Sequence, residues 1–67
     1  MPTVYRIVAR DDNTVRQFRN AYDVSIFILG WRMSAYIAIK SDELGDRIIA
    51  WPSDPNIETI EKHLKSS

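Results

Sequence analysis

Arginine is the residue type with the most chemical potential in this chain of 67 residues. Five of the six cations in residues 1–40 are arginines, and three acidic side chains leave this half with a net charge of +3. Residues 41–67 carry −3, so the whole chain is neutral. Because guanidinium groups make bidentate contacts with phosphate and carboxylate, the basic half is a candidate surface for an anionic partner. The same asymmetry would let the protein pair with itself, and an ordinary solvated surface is the alternative.

The other reactive side chains form no pattern that points to catalysis. His63 is the only histidine, and one histidine among scattered acids does not define a catalytic triad. Asp42, Glu43 and Asp46 lack the alternating pattern of a calcium loop, which favours a solvated acidic turn. The two glycines lie too far apart for a glycine-rich phosphate loop. We therefore expect a protein that is not an enzyme and that holds no metal and no cofactor.

Length and composition set further bounds. Residues 1–67 make a single domain, and a hydrophobic content of 45% is too high for a disordered chain. With no cysteine, the chain can form neither disulfides nor thiolate zinc sites, which favours a reducing compartment. The sequence contains neither a signal-peptide pattern nor the roughly 20 apolar residues that cross a bilayer. These features predict a cytoplasmic protein without membrane contact.

The most apolar stretch, Asn20–Leu29, is predicted to be the helix around which the domain is organised. Asn20 can cap it, and the carboxylate of Asp23 suits the positive end of the helix dipole. Gly30 is expected to end the helix in the left-handed conformation. Since apolar side chains surround nearly the whole stretch, this helix should be buried on several sides or should present one side to a partner.

Two stretches rich in β-branched and aromatic residues, Thr3–Ala9 and Thr14–Phe18, flank a run of turn-forming residues and predict a β-hairpin. With Asp12-Asn13 at the turn centre, Arg6 would lie opposite Arg19. Such a like-charge pair is unfavourable, and an anionic partner would relieve it. The alternative is one helix over residues 14–29, which would change the element order from ββαββα to βαββα.

A second hairpin is predicted from Met33–Lys40 and Arg47–Trp51, with Gly45 supplying a positive φ in the loop between them. Alternation along the first of these strands predicts that Tyr36 and Lys40 face outward.

A final helix should begin with Asp54 as its cap and Pro55 in its first turn. Its apolar stripe is Ile57, Ile60 and Leu64. The chain is thus predicted to be an α+β domain, with a four-stranded antiparallel sheet and both helices on one face.

The outer face of this sheet is predicted to bind a partner. The candidate partner-binding residues are Arg6, Arg10, Arg19, Trp31 and Tyr36. Arginine, tryptophan and tyrosine concentrate binding energy at protein interfaces, which predicts a small regulator or inhibitor that binds a larger protein. A homodimer is a second form of protein partner. Arginines beside an exposed aromatic ring also suit nucleic acid, so a nucleic-acid-binding module is the alternative.

Overall fold

Two β-hairpins supply the four strands of one antiparallel sheet in the computed structural model, which describes residues 2–30 and 33–66. In chain order the elements are β1 (Val4–Ala9), β2 (Val15–Phe18), α1 (Ala21–Leu29), a 3₁₀ helix (Met33–Ala35), β3 (Tyr36–Asp42), β4 (Gly45–Ile49) and α2 (Ile57–Lys65). This order confirms the predicted α+β class and ββαββα arrangement. The alternative of one helix over residues 14–29 is wrong, because β2 pairs with β1 in the sheet.

The strands lie in the order β2-β1-β3-β4, and each neighbouring pair is antiparallel. Strands β2 and β3 therefore run in the same direction with β1 between them. The chain passes from β2 to β3 through α1, so this helix crosses over β1.

One face of the sheet carries the hydrophobic core. Its strand residues Tyr5, Ile7, Ala38 and Ile49 occupy positions that share one side of the pleat. The helices add Ala21, Val24, Ile28, Ile60 and Leu64 to the same cluster. Because the strand members share one side, both helices cover that side, and no element within residues 2–30 and 33–66 covers the opposite side of the sheet.

Helix α1 begins as its sequence predicts but ends differently. The side chain of Asn20 accepts a hydrogen bond from the backbone N–H of Asp23 at 2.9 Å, as expected of a helix cap. The left-handed ending predicted for Gly30 is wrong, since this residue has φ −79° and ψ −4°. Its N–H donates to the carbonyl groups of Ile28 and Phe27, so the last turn tightens without a change of handedness.

Helix α2 is capped by Asn56, and the predicted cap at Asp54 is wrong. Asn56 and Thr59 form a reciprocal capping box, with each side chain bonded to the backbone N–H of the other at 2.8 Å. The Thr59 hydroxyl accepts the Asn56 bond and also donates to the carbonyl of Asp54 at 2.9 Å. That geometry places the start of the helix at Ile57.

The first hairpin has a longer loop than predicted. The N–H of Asn13 donates to the Ala9 carbonyl at 3.0 Å, and Asn13 has a positive φ of 61°. This loop of four residues, 10–13, places Arg6 opposite Gln17. The predicted opposition of Arg6 and Arg19 is therefore wrong. The register differs by two residues, so each side chain of β2 still lies on the expected side of the sheet.

The side chains of β3 lie on the opposite sides of the sheet from those predicted. Lys40 pairs with Tyr5, and Tyr36 pairs with Ala9, so both side chains lie on the helix-covered side. Ile37 and its alternate neighbour Ile39 face away from the helices. The predicted outward position of Tyr36 and Lys40 is wrong because both sides of this strand are apolar enough to be buried, and alternation alone does not say which one is.

The second hairpin turns through two residues, between Asp42 and Gly45. Gly45 has φ 98°, which confirms the predicted positive φ at this position. The carboxylate of Asp42 accepts a hydrogen bond from the N–H of Leu44 at 2.9 Å and stabilises the turn.

Candidate protein-binding face

The side of the sheet that neither helix covers is called the open face. It consists of Val4, Arg6 and Val8 on β1, Val15 and Gln17 on β2, Ile37, Ile39 and Ser41 on β3, and Asp46 and Ile48 on β4. Six of these ten side chains are aliphatic, whereas the water-facing side of an antiparallel sheet is normally polar. Val15 is 52% exposed and Ile48 is 75% exposed. An exposed apolar surface of this kind is a candidate binding site.

The strand register arranges these side chains in rows. Val15, Val8 and Ile37 are cross-strand neighbours and form an apolar row near one end of the sheet. Ser41 lies opposite Asp46 near the other end. The open face therefore changes from apolar to polar along the strand direction.

A hydrogen-bonded network neutralises the polar end. The guanidinium of Arg6 donates to the Ser41 hydroxyl at 2.9 Å and forms an ion pair with Asp46. The Ser41 hydroxyl donates in turn to the Asp46 carboxylate at 2.7 Å. Arg6 and Asp46 are the two charged side chains among the ten, so the open face carries no net charge. The open face is therefore better suited to contact an apolar and neutral surface of a partner than to contact a polyanion.

The carboxylates of the two hairpins are held in their charged form. Hydrogen bonds from Ser41 and Arg6 lower the pKa of Asp46. The N–H of Leu44, followed by Arg47, lowers the pKa of Asp42. The backbone N–H of Thr14 lowers the pKa of Asp12 in the first turn. Each of these groups therefore favours folding when it is ionised.

Acid is expected to destabilise the protein through these groups. Their pKa values lie lower in the folded chain than in the unfolded chain, so the unfolded state binds more protons as the pH falls. The stabilisation should be complete above the unfolded value of about 4 and should be lost as the pH falls through the folded values. Urea unfolding between about pH 7 and 2 measures this dependence. Asp46→Asn should reduce this dependence; a pH profile equal to that of the wild type would contradict the assignment to the network.

Both edge strands carry a cation on the helix-covered side. On β2 the guanidinium of Arg16 lies 5.4 Å from the ring centre of Phe27. On β4 Arg47 pairs with Asp42 at 2.8 Å. Charged side chains that point inward from an edge strand oppose the addition of a further strand. The sheet is thus protected at its edges and accessible on its face.

The structure does not bring the predicted partner-binding residues together. Arg6 lies on the open face, in the network with Asp46. Arg10 is exposed in the β1–β2 loop, and Arg19 is exposed after the end of β2. Tyr36 is half-buried on the other side of the sheet, with its ring 5.7 Å from that of Phe27. Trp31 lies outside the described residues.

The sequence pattern indicates the valines of this surface but not its isoleucines. Val4, Val8 and Val15 share the predicted outer face with Arg6, whereas alternation along Met33–Lys40 puts Ile37 and Ile39 on the side opposite Tyr36 and Lys40, and the pattern of Arg47–Trp51 assigns no side to Ile48. The available signal was the presence of β-branched residues on both sides of β1 and β3, which is unusual for a sheet with one covered face.

Of the three acidic side chains predicted to form a solvated turn, Asp42 and Asp46 form ion pairs with the hairpin strands, and Glu43 is exposed. Among residues 2–30 and 33–66, no group of three or more His, Cys, Asp or Glu side chains is placed to hold a metal ion. His63 is half-buried on α2.

A second exposed apolar patch lies on α1. Tyr22, Ile26 and Leu29 follow a helical spacing and are 52%, 47% and 42% exposed. This patch faces away from the sheet, because Val24 and Ile28 on the same helix are fully buried in the core.

Neither helix of the described chain is long and apolar enough to span a membrane. Comparison with known protein families, curated proteins and solved structures finds no match to this chain. The function must therefore be inferred from the open face itself.

Proposed function

We propose that this protein is a small, non-enzymatic protein-binding module that regulates or inhibits a larger protein partner. The open face of the sheet is the binding surface. The observation that carries this proposal is that six aliphatic side chains lie on a sheet face with no covering layer, while the charges on that face neutralise each other. The cysteine-free sequence is compatible with action in the cytoplasm.

The same observation favours a protein over a nucleic acid. Nucleic-acid binding relies on cations that are available to phosphate and on aromatic rings that stack with bases. Arg6 is engaged by Asp46, and the open face contains aliphatic and no aromatic side chains among its ten members. Val8, Ile37 and Ile39 instead offer the kind of apolar centre that protein interfaces bury.

Affinity capture with matched variants tests this function. Ile48→Glu places a charge on the open face, and Ile26→Glu makes the same change on α1, on the opposite side of the molecule. Both side chains are exposed, so circular dichroism should remain native for both variants. The wild-type chain and Ile26→Glu should capture the same protein partner, and Ile48→Glu should bind the purified partner at least about tenfold more weakly.

Two results would contradict the proposal. The first is a partner that binds the wild type and Ile48→Glu equally well. The second is saturable binding of labelled single-stranded RNA or DNA that weakens with salt, which would support the nucleic-acid alternative instead.

A further inference from the structure

We infer that a second copy of this chain covers the open face in the free protein, sheet against sheet, so that homodimer formation and partner binding exclude each other. The inference rests on the proposed role of the open face as a docking surface, and it adds a regulatory step. Release of the second copy makes the surface available to the partner.

The size of the molecule favours a single occupant. The Cα positions extend 29 × 27 × 17 Å, so the domain is a slab with two broad sides. The helices cover one broad side, and the open face occupies the other. Four strands about 4.8 Å apart, the longest of seven residues, give an open face of roughly 19 by 24 Å, about half of the roughly 800 Å² that each protein contributes to an interface of standard size, which suits a weak dimer. A second copy and a larger partner therefore compete for the same area.

The chemistry of the open face is self-complementary. A homodimer with two-fold symmetry brings the same surface of each copy together, so the surface must tolerate its own image. Because Arg6 and Asp46 neutralise each other within one chain, the image adds no unmatched charge. The aliphatic side chains of the open face are all valine or isoleucine, which interdigitate well when two sheets pack about 10 Å apart.

The apolar and polar ends of the open face select the orientation of the two copies. A two-fold axis parallel to the strands places the row of Val15, Val8 and Ile37 against the same row of the second copy. An axis perpendicular to the strands would instead place this row against the row of Val4, Ser41 and Asp46, and it would set Arg6 over Arg6 of the second copy. The first arrangement matches apolar with apolar surface, and it sets β2 of one copy over β4 of the other.

Other surfaces offer less for self-association. The inward cations Arg16 and Arg47 oppose pairing through either sheet edge. The exposed patch on α1 from Tyr22 to Leu29 is about 10 Å long, since a helix rises about 1.5 Å per residue. A patch of that length offers less area than the open face of the four-stranded sheet.

Sedimentation velocity of the purified chain tests the inference. The mass should rise from 7.8 kDa toward twice that value over a concentration range of about 1 to 500 µM, because a face without aromatic anchors should give a micromolar dissociation constant. Ile48→Glu should shift the dissociation constant at least about tenfold upward, whereas Ile26→Glu should leave it unchanged. A monomer at every concentration would overturn the inference. Equal dissociation constants for the Ile48→Glu and Ile26→Glu dimers would also overturn it.

Cross-linking tests the orientation, and the absence of native cysteine removes background reaction. Gln17 and Ile48 occupy the same row at opposite edges of the open face. An axis parallel to the strands places Gln17 of one copy over Ile48 of the other. A short bismaleimide should therefore join Gln17→Cys to Ile48→Cys in a mixture of the two variants. Preferential joining of Ile48→Cys to itself would overturn this arrangement.

These experiments separate the inference from the proposed function, since they use only the purified chain. A dimer that depends on the open face would stand even if no partner were captured. Capture of a partner by a chain that stays monomeric would support the proposed function and overturn the dimer.

Discussion

Replacing Ile60 with alanine is expected to remove most of the stability of the fold, so that a substantial fraction of the chain is unfolded at 25 °C. Ile60 is fully buried and belongs to the core between α2 and the sheet. Removing a buried isoleucine side chain down to alanine costs about 2–5 kcal/mol, because apolar burial is lost and a cavity remains. A domain of this size without disulfides or metal has only about 3–5 kcal/mol of stability in total. One substitution therefore removes most of the available free energy of unfolding.

The matched control is Ile57→Ala on the same helix. Ile57 lies three residues earlier and is 37% exposed, so its truncation should cost less than about 1 kcal/mol. Urea unfolding monitored by circular dichroism measures both variants at one shared protein concentration, because self-association makes the apparent stability concentration-dependent. If Ile60→Ala unfolds at the same urea concentration as the wild type, or if the two variants lose equal stability, then α2 does not complete the core.

The features that could be predicted from the sequence depend on short-range signals. Asn20 precedes an apolar run and lies three residues before Asp23, which is sufficient to place the start of α1. The turn residues between β1 and β2 likewise predict a hairpin wherever the rest of the chain lies. Such signals depend on a few neighbouring residues, so no knowledge of the tertiary structure is needed to interpret them.

The sides of the sheet could not be predicted in the same way. Alternation shows that Tyr36 and Ile37 point in opposite directions, but either one suits a core. The choice depends on which side of β3 the helices cover, and that is decided by packing against Ile60 and Leu64 far along the chain. The wrong prediction for β3 exchanged the covered and open sides of this strand. It therefore placed Tyr36 and Lys40 beside the arginines of the outer face, whereas the fold places them on the helix-covered side.

The same limit applies to the candidate site. The partner of Arg6 is Asp46, which lies 40 positions away in the sequence. A charge pattern read along the chain separates these residues into a basic and an acidic half, whereas the fold places them in one neutral network. The register of the sheet, and not the net charge of each half, determines what the open face offers to a partner.

Lys40→Met is expected to destabilise the fold by about 2 kcal/mol, because it removes two charge-assisted hydrogen bonds at the end of α2. Lys40 is 6% exposed and lies on the helix-covered side of β3. Its ammonium donates to the carbonyl of Leu64 at 3.0 Å and to that of Lys65 at 3.3 Å. A cation in this position satisfies carbonyl groups that the helix leaves unpaired and complements the negative end of the helix dipole.

Methionine keeps an apolar stem of similar length, so the variant isolates the ammonium group from the packing of the side chain. Lys62→Met is the matched control, since Lys62 is exposed on the same helix and should contribute less than about 1 kcal/mol. Urea unfolding gives the stabilities, and amide hydrogen exchange should become faster in the last turn of α2 in Lys40→Met alone. Equal or greater stability of Lys40→Met would mean that the cost of burying the charge outweighs its hydrogen bonds. A loss of stability would instead show that Lys40 helps to attach α2 to the sheet. Lys40 would then help to form the covered side of the sheet, which is opposite the open face.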